Sequence, residues 1–461
     1  MTSRDYSPLM EELADEYRRH APKSAALQKE ALRFLTDGGS NALRTIWPFP
    51  PRIAQAKGAW LVDEDGHSIL DFWQGHYANV LGHNPEVVTK ALARAFDGGF
   101  GLQTGFLDRL QSELAEIICR QVSAERIRFT TSGTLATMYA MMLARGFTKR
   151  QLVMKVGGGW HGGQPWGLRG VGYHDGFKKL DSEGLSSAGE DVFITDFNRS
   201  QLLEEHFRAY GDRLACFILE PVIGAGGLMP ATREYVRTVR ELTEKYGVLL
   251  IFDEVISAFR FRAGNVGRLY GVEPDLTTMG KAIGGGMPVA AVVGRGDVMD
   301  QAGLGQAARV KFQGGTFAAH PSSMLAAKTY LSHLVEHEKT IYARMADIAT
   351  QTRTVVKKAF DEEGVYVRFA GDHNDVLPGN SLHMLLFPYE EGLELNVPEE
   401  VRNPAVCDIT LSEKVLQLAL LVENVYTVHG LGCTTAAHTE DDLEFLGNAC
   451  RRAARRIKPY L

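Results

Sequence analysis

"GVLLIFDEV" (Gly247–Val255) is an apolar run of strand length that ends in two acidic residues and a valine. Because polar residues do not alternate within it, we expect a strand that is buried on both faces. The preceding segment, Arg233–Tyr246, has helical periodicity and stops at a glycine. Apolar runs and helical patterns alternate along the chain, and the other runs are "RIRFTTS", "QLVMKV", "VFITD", "ACFILEPV" and "AAVVG". This alternation predicts an α/β fold with a mostly parallel sheet between two layers of helices.

The alternation of apolar runs and helical patterns is confined to the middle of the chain, which suggests a domain organisation. Residues 1–85 show amphipathic helices and two short strands, and residues 326–461 show long helices, short strands and a final helix. We therefore expect a large domain over residues 86–325 and a smaller α+β domain over residues 326–461. Residues 1–85 are expected to belong to the smaller domain.

Composition narrows the class of protein. The 461 residues include 50 basic and 56 acidic side chains, mixed along the chain, with a net charge of -6. This mixture of charges leaves no basic patch of the kind that binds nucleic acid. The five cysteines are widely spaced without a C-x-x-C motif, which disfavours disulfides and a zinc site. Without an apolar h-region or a membrane-length apolar run, we expect a cytoplasmic protein with no membrane partner and no metal.

Small hydroxyl residues follow one of the predicted strands. In "TTSGT" (Thr130–Thr134), Ser132, Gly133 and Thr134 stand where a helix begins. Free N–H groups and the positive end of a helix dipole at such a position suit a phosphate. An ordinary helix cap explains the same residues, so both interpretations stay open.

A glycine-rich stretch, "GGGWHGG" (Gly157–Gly163), follows the predicted strand "QLVMKV". Its glycines formally match the G-x-G-x-x-G dinucleotide pattern. That pattern requires a helix to follow, and the proline and glycines after it predict none, so a dehydrogenase is disfavoured. Trp160 within the stretch is able to stack on a flat ligand. A surface loop with a buried tryptophan is the alternative.

Three ionisable residues stand at or just beyond other strand ends: Asp253, Glu220 and Lys281. Ligands of open α/β sheets bind beyond the carboxyl ends of the strands. A buried carboxylate such as Asp253 needs a partner, which a metal, a cation, a protonated ring nitrogen or a structural salt bridge would supply. Lys281 lies in "TTMGKAIGGGMP" (Thr277–Pro288), among apolar and glycine residues that would lower the pKa of its amine.

A phosphate cradle, an aromatic platform, a carboxylate and a desolvated lysine together match one cofactor, pyridoxal 5′-phosphate (PLP). Lys281 would form a Schiff base with its aldehyde, and the "TTSGT" turn would hold its phosphate. Trp160 would stack on the ring and Asp253 would pair with the ring nitrogen. The prediction depends on the combination, since each element alone has a structural explanation.

The chain also resembles a known family, the class III aminotransferases of PLP fold type I. Within this family it is most similar to glutamate-1-semialdehyde aminomutase and to the β-phenylalanine and D-phenylglycine aminotransferases. The resemblance covers roughly residues 35 to 455, and its most specific part is "LLIFDEVISAFR" with "GVEPDLTTMGKAIGGGMPVAAVVGR". Shorter matching motifs occur in the family's order, among them "GGSNALR", "DGHSILDF", "WHGG", "EPVIGAGG" and "GGTFAAHP".

The resemblance implies a role for individual residues. Lys281 would be the Schiff-base lysine and Asp253 the partner of the ring nitrogen. Thr316 would reach the phosphate in a neighbouring subunit, which implies a homodimer with shared active sites. The other implied contacts are Ser132, Gly133 and Thr134 at the phosphate, Trp160 and Val255 at the ring, Glu220 near the ring hydroxyl, and Arg44 and Trp73 at the substrate.

Three positions depart from the family's usual pattern. Leu135 stands where an acidic residue usually follows "SGT", and Trp160 stands where Tyr or Phe usually stacks. "VIGAGG" after "EP" is more typical of a transaminase than of the aminomutase. The resemblance therefore favours a ping-pong aminotransferase acting on a keto acid and an amino donor such as a β- or aromatic amino acid. An aminomutase or amino-acid racemase stays open, whereas a non-enzymatic homologue is disfavoured because both Lys281 and Asp253 are present.

Overall fold

Seven strands form the main sheet of the computed structural model, which describes residues 4–173, 176–177, 191–306, 308–372 and 374–461. Six of these strands are mutually parallel, and Ala290–Gly294 is antiparallel to both of its neighbours. The mostly parallel α/β fold predicted from the sequence is therefore confirmed. Across the sheet the strands are Arg126–Thr130, Ala290–Gly294, Leu276–Met279, Leu249–Glu254, Leu214–Leu219, Leu152–Val156 and Val192–Thr195.

Successive residues of the central strand pack against different helices. Ile251 lies in an apolar cluster with the helix Gly133–Thr148, whereas Phe252 lies in another cluster with the helices Ser200–Tyr210 and Arg233–Tyr246. Side chains alternate between the two faces of a strand, so a strand covered on both sides must be apolar at every position. The continuous apolar runs of the sequence follow from this arrangement.

A second sheet joins the two ends of the chain. The antiparallel strands Ile53–Lys57, Trp60–Asp63 and Ser68–Asp71 are followed by Val425–Tyr426, which pairs in parallel with Ser68–Asp71. Helices from both ends share one apolar cluster with this sheet; they are Ser7–His20, Glu338–Glu362, Leu416–Leu421 and Glu440–Ile457. This packing supports our proposal that residues 1–85 form part of the smaller domain.

The helix Pro321–Glu336 packs on the helices Glu86–Asp97 and Arg109–Val122, next to the large sheet. A boundary between residues 325 and 326 would cut this helix, so we propose a boundary after Glu336. The other α-helices of the described residues are short or peripheral: Pro22–Ala31, Gln74–Tyr77, Gly267–Tyr270, Gly296–Met299 and Pro398–Val401. Short strand pairs complete the fold: Val222–Ile223 with Met229–Pro230, Arg368–Phe369 with Leu385–Leu386, and Leu382–His383 with Gly432–Cys433.

The topology brings the carboxyl ends of the parallel strands to one edge of the sheet. Most of the segments that the sequence singled out follow strand ends directly or lie just beyond them: residues 131–134, 157–163 and 220, and Lys281. Asp253 is the second-to-last residue of its strand. Among the described helices, none combines the length and the apolar character that crossing a bilayer requires.

Candidate active site

A cavity of about 540 Å³ opens at this edge of the sheet. It collects most of the residues that the sequence singled out, although they lie far apart in the chain. Those that line it are Arg44, Ser132, Gly133, Thr134, Trp160, Glu220, Asp253, Val255 and Lys281.

Asp253 is held in the floor of the cavity by three hydrogen bonds. Its carboxylate accepts the hydroxyl of Thr278 at 2.9 Å, the backbone N–H of Val255 at 3.1 Å and Nδ1–H of His161 at 2.8 Å. Only 4% of Asp253 is exposed. Burial lowers the pKa of His161, so its neutral ring donates from Nδ1 to the carboxylate. The site therefore holds a desolvated negative charge in a fixed orientation.

Lys281 follows the strand Leu276–Met279 and lines the same cavity. Within the described ranges, no acceptor lies within hydrogen-bonding distance of its amine. Burial lowers the pKa of this amine, while the carboxylates of Asp253 and Glu220 act in the opposite direction. A lysine with a lowered pKa and no hydrogen-bonding partner is a nucleophile that faces open space.

Glu220 fixes the glycine-rich loop to the floor. One carboxylate oxygen accepts the N–H of Trp160 at 2.8 Å, and the other accepts the N–H of Gly224 at 3.0 Å. Burial, reinforced by the nearby charge of Asp253, raises the pKa of Glu220 to about 8. Glu220 therefore keeps its proton to a higher pH than an ordinary glutamate does.

The turn at Ser132–Thr134 forms a tight cradle. Ser132 caps the helix Gly133–Thr148 by accepting the N–H of Leu135 at 3.3 Å, as the simpler interpretation predicted, and it also lines the cavity. Thr134 Oγ1 accepts the N–H of Gly163 at 3.2 Å, which ties the glycine loop to the helix start. A Cβ on Gly162, where φ is +92°, would lie 2.6 Å from Cα of Thr134. Only glycine allows this close approach, so the cradle fits a phosphate group.

Trp160 is 40% exposed and lines the cavity, so the alternative of a buried tryptophan is wrong. No helix occurs in the described residues 157–173, which removes the structural context that a dinucleotide-binding loop needs. Val255 also lines the cavity, and a Cβ on Gly133 would lie 2.9 Å from its Cγ1. The residues present therefore fit a flat ring with a phosphate, a basic ring nitrogen and a lysine-reactive carbon.

Two predicted residues lie outside this cavity. Trp73 is 8% exposed and lines an adjacent cavity of about 540 Å³, together with Tyr426 and Leu61. The two cavities share Asn41, Arg44 and Gly75 as lining residues. Thr316 is exposed and does not line either cavity, so its role in a neighbouring subunit stays a prediction.

The sequence did not identify the segment Gln74–Tyr77, which contributes Gly75 and His76 to the cavity. All four residues have left-handed backbone angles, with φ between 46° and 64°. No sequence pattern indicated that His161, which directly follows Trp160, would form a hydrogen bond with Asp253. Both features depend on contacts between distant segments, and no local pattern signals them.

Comparison with known proteins gives the family. The model of the class III aminotransferases matches residues 46–363. A glutamate-1-semialdehyde 2,1-aminomutase from Caldivirga maquilingensis is 32% identical over 433 residues, which is 91% of this chain and 95% of that protein. An omega-transaminase from Sphaerobacter thermophilus has 29% identity and a TM-score of 0.83, covering 94% of this chain and 98% of that one.

A β-phenylalanine aminotransferase from Variovorax paradoxus has 27% identity and a TM-score of 0.81, with 97% of each chain covered. These relatives have two kinds of name, aminomutase and transaminase, within a single fold and family. The chain belongs to the class III aminotransferases, and its cofactor is pyridoxal 5′-phosphate.

Proposed function

We propose that the protein is an aminotransferase that moves an amino group from an amino acid with an apolar or aromatic side chain to a keto acid. The observation that carries this proposal is the pair of adjacent cavities that share lining residues. The cavity with Lys281 shares Arg44 and Gly75 with a second cavity, whose lining includes Trp73, Tyr426, Leu61, Pro50 and Pro51. A substrate carboxylate at Arg44 would leave room for an apolar side chain beyond it.

The residues that would hold the cofactor follow from the geometry above. Ser132, Gly133 and Thr134 would bind the phosphate, and Trp160 and Val255 would bind the ring. Asp253 would pair with the protonated ring nitrogen, and Glu220 would lie near the ring hydroxyl. When bound, the cofactor supplies an electron sink for the negative charge that develops on the substrate carbon.

Lys281 has two tasks in this proposal. Its amine would hold the cofactor covalently in the resting enzyme. Once free, the amine would take a proton from the substrate carbon as general base and give it up again as general acid. Burial lowers the pKa of this amine and so favours the neutral form, which a general base requires.

Asp253, oriented by His161, would favour the protonated form of the ring nitrogen. The three hydrogen bonds to Asp253 fix the carboxylate, and its burial strengthens the attraction to a cation. Glu220, by holding the N–H of Trp160, keeps the aromatic platform in place. The chain's own residues thus orient the reacting groups and move the proton.

An aminomutase of the glutamate-1-semialdehyde type is the second candidate. The names of the similar curated proteins favour it, including the Caldivirga protein at 32% identity. An amino-acid racemase would share the same internal proton transfer. Neither reaction consumes an external keto acid, whereas an aminotransferase stops after one half-reaction without it.

The test omits the keto acid. The purified protein, loaded with cofactor, is mixed with a panel of amino acids and amines while its visible absorption and the products are followed. An aminotransferase converts its cofactor once, with one product molecule per active site, and turns over only after a keto acid is added. Continued product formation without a keto acid would overturn the aminotransferase in favour of the mutase or racemase.

A homodimer with shared active sites is part of the proposal. Large apolar side chains are exposed on the single chain near Thr316 in sequence and in the segment 102–107: Leu102 at 76%, Phe106 at 72%, Leu107 at 92% and Phe317 at 60%. Such exposure supports a subunit interface. Mixed dimers of Lys281→Ala and Thr316→Ala chains test the shared site. If the sites are shared, one of the two sites in such a dimer combines an unchanged Lys281 with an unchanged Thr316 and stays active.

The free state of all five cysteines supports a reducing compartment, consistent with a cytoplasmic location.

A further inference from the structure

Residue His76 occupies the middle of a left-handed turn at the cavity wall. Gln74, Gly75, His76 and Tyr77 have φ values of 46°, 64°, 62° and 64°. Three of these four residues are not glycine, and a left-handed conformation is unfavourable for each of them. Such a turn persists only where its surroundings fix it, and strained backbone of this kind concentrates at ligand-binding sites.

Buried groups from distant segments fix this turn. Asp71 accepts the N–H groups of Trp73 at 2.7 Å and Gln74 at 2.9 Å. Arg260, which is fully buried, donates to the carbonyl of Asn79 at 2.9 Å and also to that of Tyr77. Asp71 and Arg260 thus hold the segment on both sides of His76, so the ring position follows from the fold.

The ring of His76 lines the cavity that contains Lys281 and Arg44. No hydrogen-bonding partner for this ring occurs in the described part of the chain. Burial, with the charges of Lys281, His429 and Arg44, lowers the pKa of His76 to about 3. The imidazole is therefore neutral at working pH and offers one N–H donor in the cavity that it shares with Arg44.

Arg44 is the second group without a partner. It is exposed at the junction of the two cavities, and none of the described carboxylates forms an ion pair with it. The side chain of Asn41 accepts the N–H of Leu43 at 3.1 Å and so caps the turn Ala42–Arg44. Arg44, a cation on a capped turn, and His76, a neutral donor on a strained turn, therefore line the same cavity.

We propose that His76 donates a hydrogen bond to the substrate carboxylate that Arg44 pairs with, and so selects amino acids over amines that lack the carboxylate. The inference rests on the proposed function and adds a specificity-determining residue to it. A guanidinium supplies charge, and a neutral imidazole adds a directed donor without raising the proton affinity of Lys281.

Binding of an unreactive pair of ligands tests the proposal. The cofactor-loaded enzyme is titrated calorimetrically with 3-phenylpropanoate and with 3-phenylpropanamide, which has the same shape without the charge. We expect the wild type to prefer the acid. His76→Phe and His76→Gly should each reduce the acid-to-amide preference by roughly 10- to 100-fold, the effect of a hydrogen bond to a charged group. His76→Asn, which keeps a donor, should retain the preference within about threefold.

Two variants separate this role from a structural one. Glycine accepts a positive φ without strain, so His76→Gly keeps the turn even where His76→Phe does not. An acid-to-amide preference unchanged in His76→Gly would overturn the proposal, as would a wild type that binds both ligands equally. A failure of amino transfer is distinguishable, because it would show as a cofactor spectrum that no amino donor changes, whatever the binding preference.

Discussion

Two lysines of this fold are withdrawn from bulk water, and they differ in one respect. Lys155, in the strand Leu152–Val156, is fully buried and donates to the carbonyls of Gly167 at 2.9 Å and Arg169 at 2.7 Å. Lys281, beyond the strand Leu276–Met279, faces a cavity, and no hydrogen-bond acceptor for it occurs in the described residues. Burial alone does not make a lysine reactive. Lys155 serves the fold because its donors are used, and Lys281 is available for chemistry because its donors are not.

The largest expected effect concerns Lys281 itself. Lys281→Ala should abolish turnover, a fall of at least ~10³-fold, because it removes both the nucleophile and the proton carrier. Its unfolding free energy should stay close to that of the wild type. Steady-state kinetics and urea unfolding measure the two quantities, with the exposed Lys357→Ala as control.

Lys155→Met should show the opposite result. The carbonyls of Gly167 and Arg169, the first buried and the second partly buried, lose a donor, so the unfolding free energy should fall by about 1–3 kcal/mol. The activity of the molecules that remain folded should stay near the wild-type value. A Lys155 variant that folds normally and lacks activity would break the comparison between the two lysines.

His161→Phe tests whether turnover depends on the fixed orientation of the Asp253 carboxylate. The substitution removes one of the three donors to Asp253, the shortest at 2.8 Å. We expect turnover to fall by roughly 10- to 100-fold, because a hydrogen bond to a charged group is lost. Single-turnover kinetics measures this, with Thr278→Val as the companion for the donor at 2.9 Å. An unchanged rate in both variants would show that the orientation of Asp253 does not limit the reaction.

Gly162→Ala separates the phosphate cradle from the lysine. The new Cβ would lie 2.6 Å from Cα of Thr134 at a φ of +92°, so the loop must move away from the helix start. We expect the cofactor affinity to fall by about tenfold through backbone strain of 1–3 kcal/mol. Gly163→Ala is the matched control, since its Cβ meets nothing within 4 Å. Equal cofactor affinities for the two variants, measured by equilibrium titration, would contradict the cradle.

The last expected effect is a change in the pH dependence of stability. Burial raises the pKa of Glu220 from 4.5 to about 8, so the folded state keeps a proton that the unfolded state releases. Stability linked to this group therefore falls as the pH rises from about 4.5 to 8. Glu220→Gln should flatten that fall.

Urea unfolding of the cofactor-free protein between pH 5 and pH 9 measures this effect. The exposed Glu234→Gln variant is the control and should follow the wild-type curve. Parallel curves for wild type and Glu220→Gln would show that Glu220 does not hold its proton in the folded state.

The sheet and its catalytic edge could be predicted because each depends on local pattern. A strand covered on both faces must be apolar at every position, so "GVLLIFDEV" identified its strand, and Asp253 stood out at its end. Lys281 stood out for the same reason, as an ionisable residue among glycines and apolar residues. Lys155 did not stand out, since nothing in "QLVMKV" indicates the carbonyls that it would meet.

The rim of the site could not be predicted, because distant contacts fix it. The left-handed turn at Gln74–Tyr77 depends on Arg260, which is 183 positions from Tyr77. The hydrogen bond between His161 and Asp253 joins residues 92 positions apart. The second cavity is lined by residues as far apart in the chain as Arg44 and Tyr426. Sequence pattern therefore identified residues that line the cavity floor and left the shape of the substrate pocket open.

Borohydride reduction of the cofactor-loaded protein, followed by peptide mass spectrometry, tests the central claim most directly. Reduction makes permanent any carbon–nitrogen bond between a lysine and the cofactor's aldehyde carbon. We predict a single labelled lysine, Lys281, with Lys155 unlabelled. A label on Lys155 or on another lysine, or no label in a protein that binds the cofactor, would contradict the assignment of Lys281.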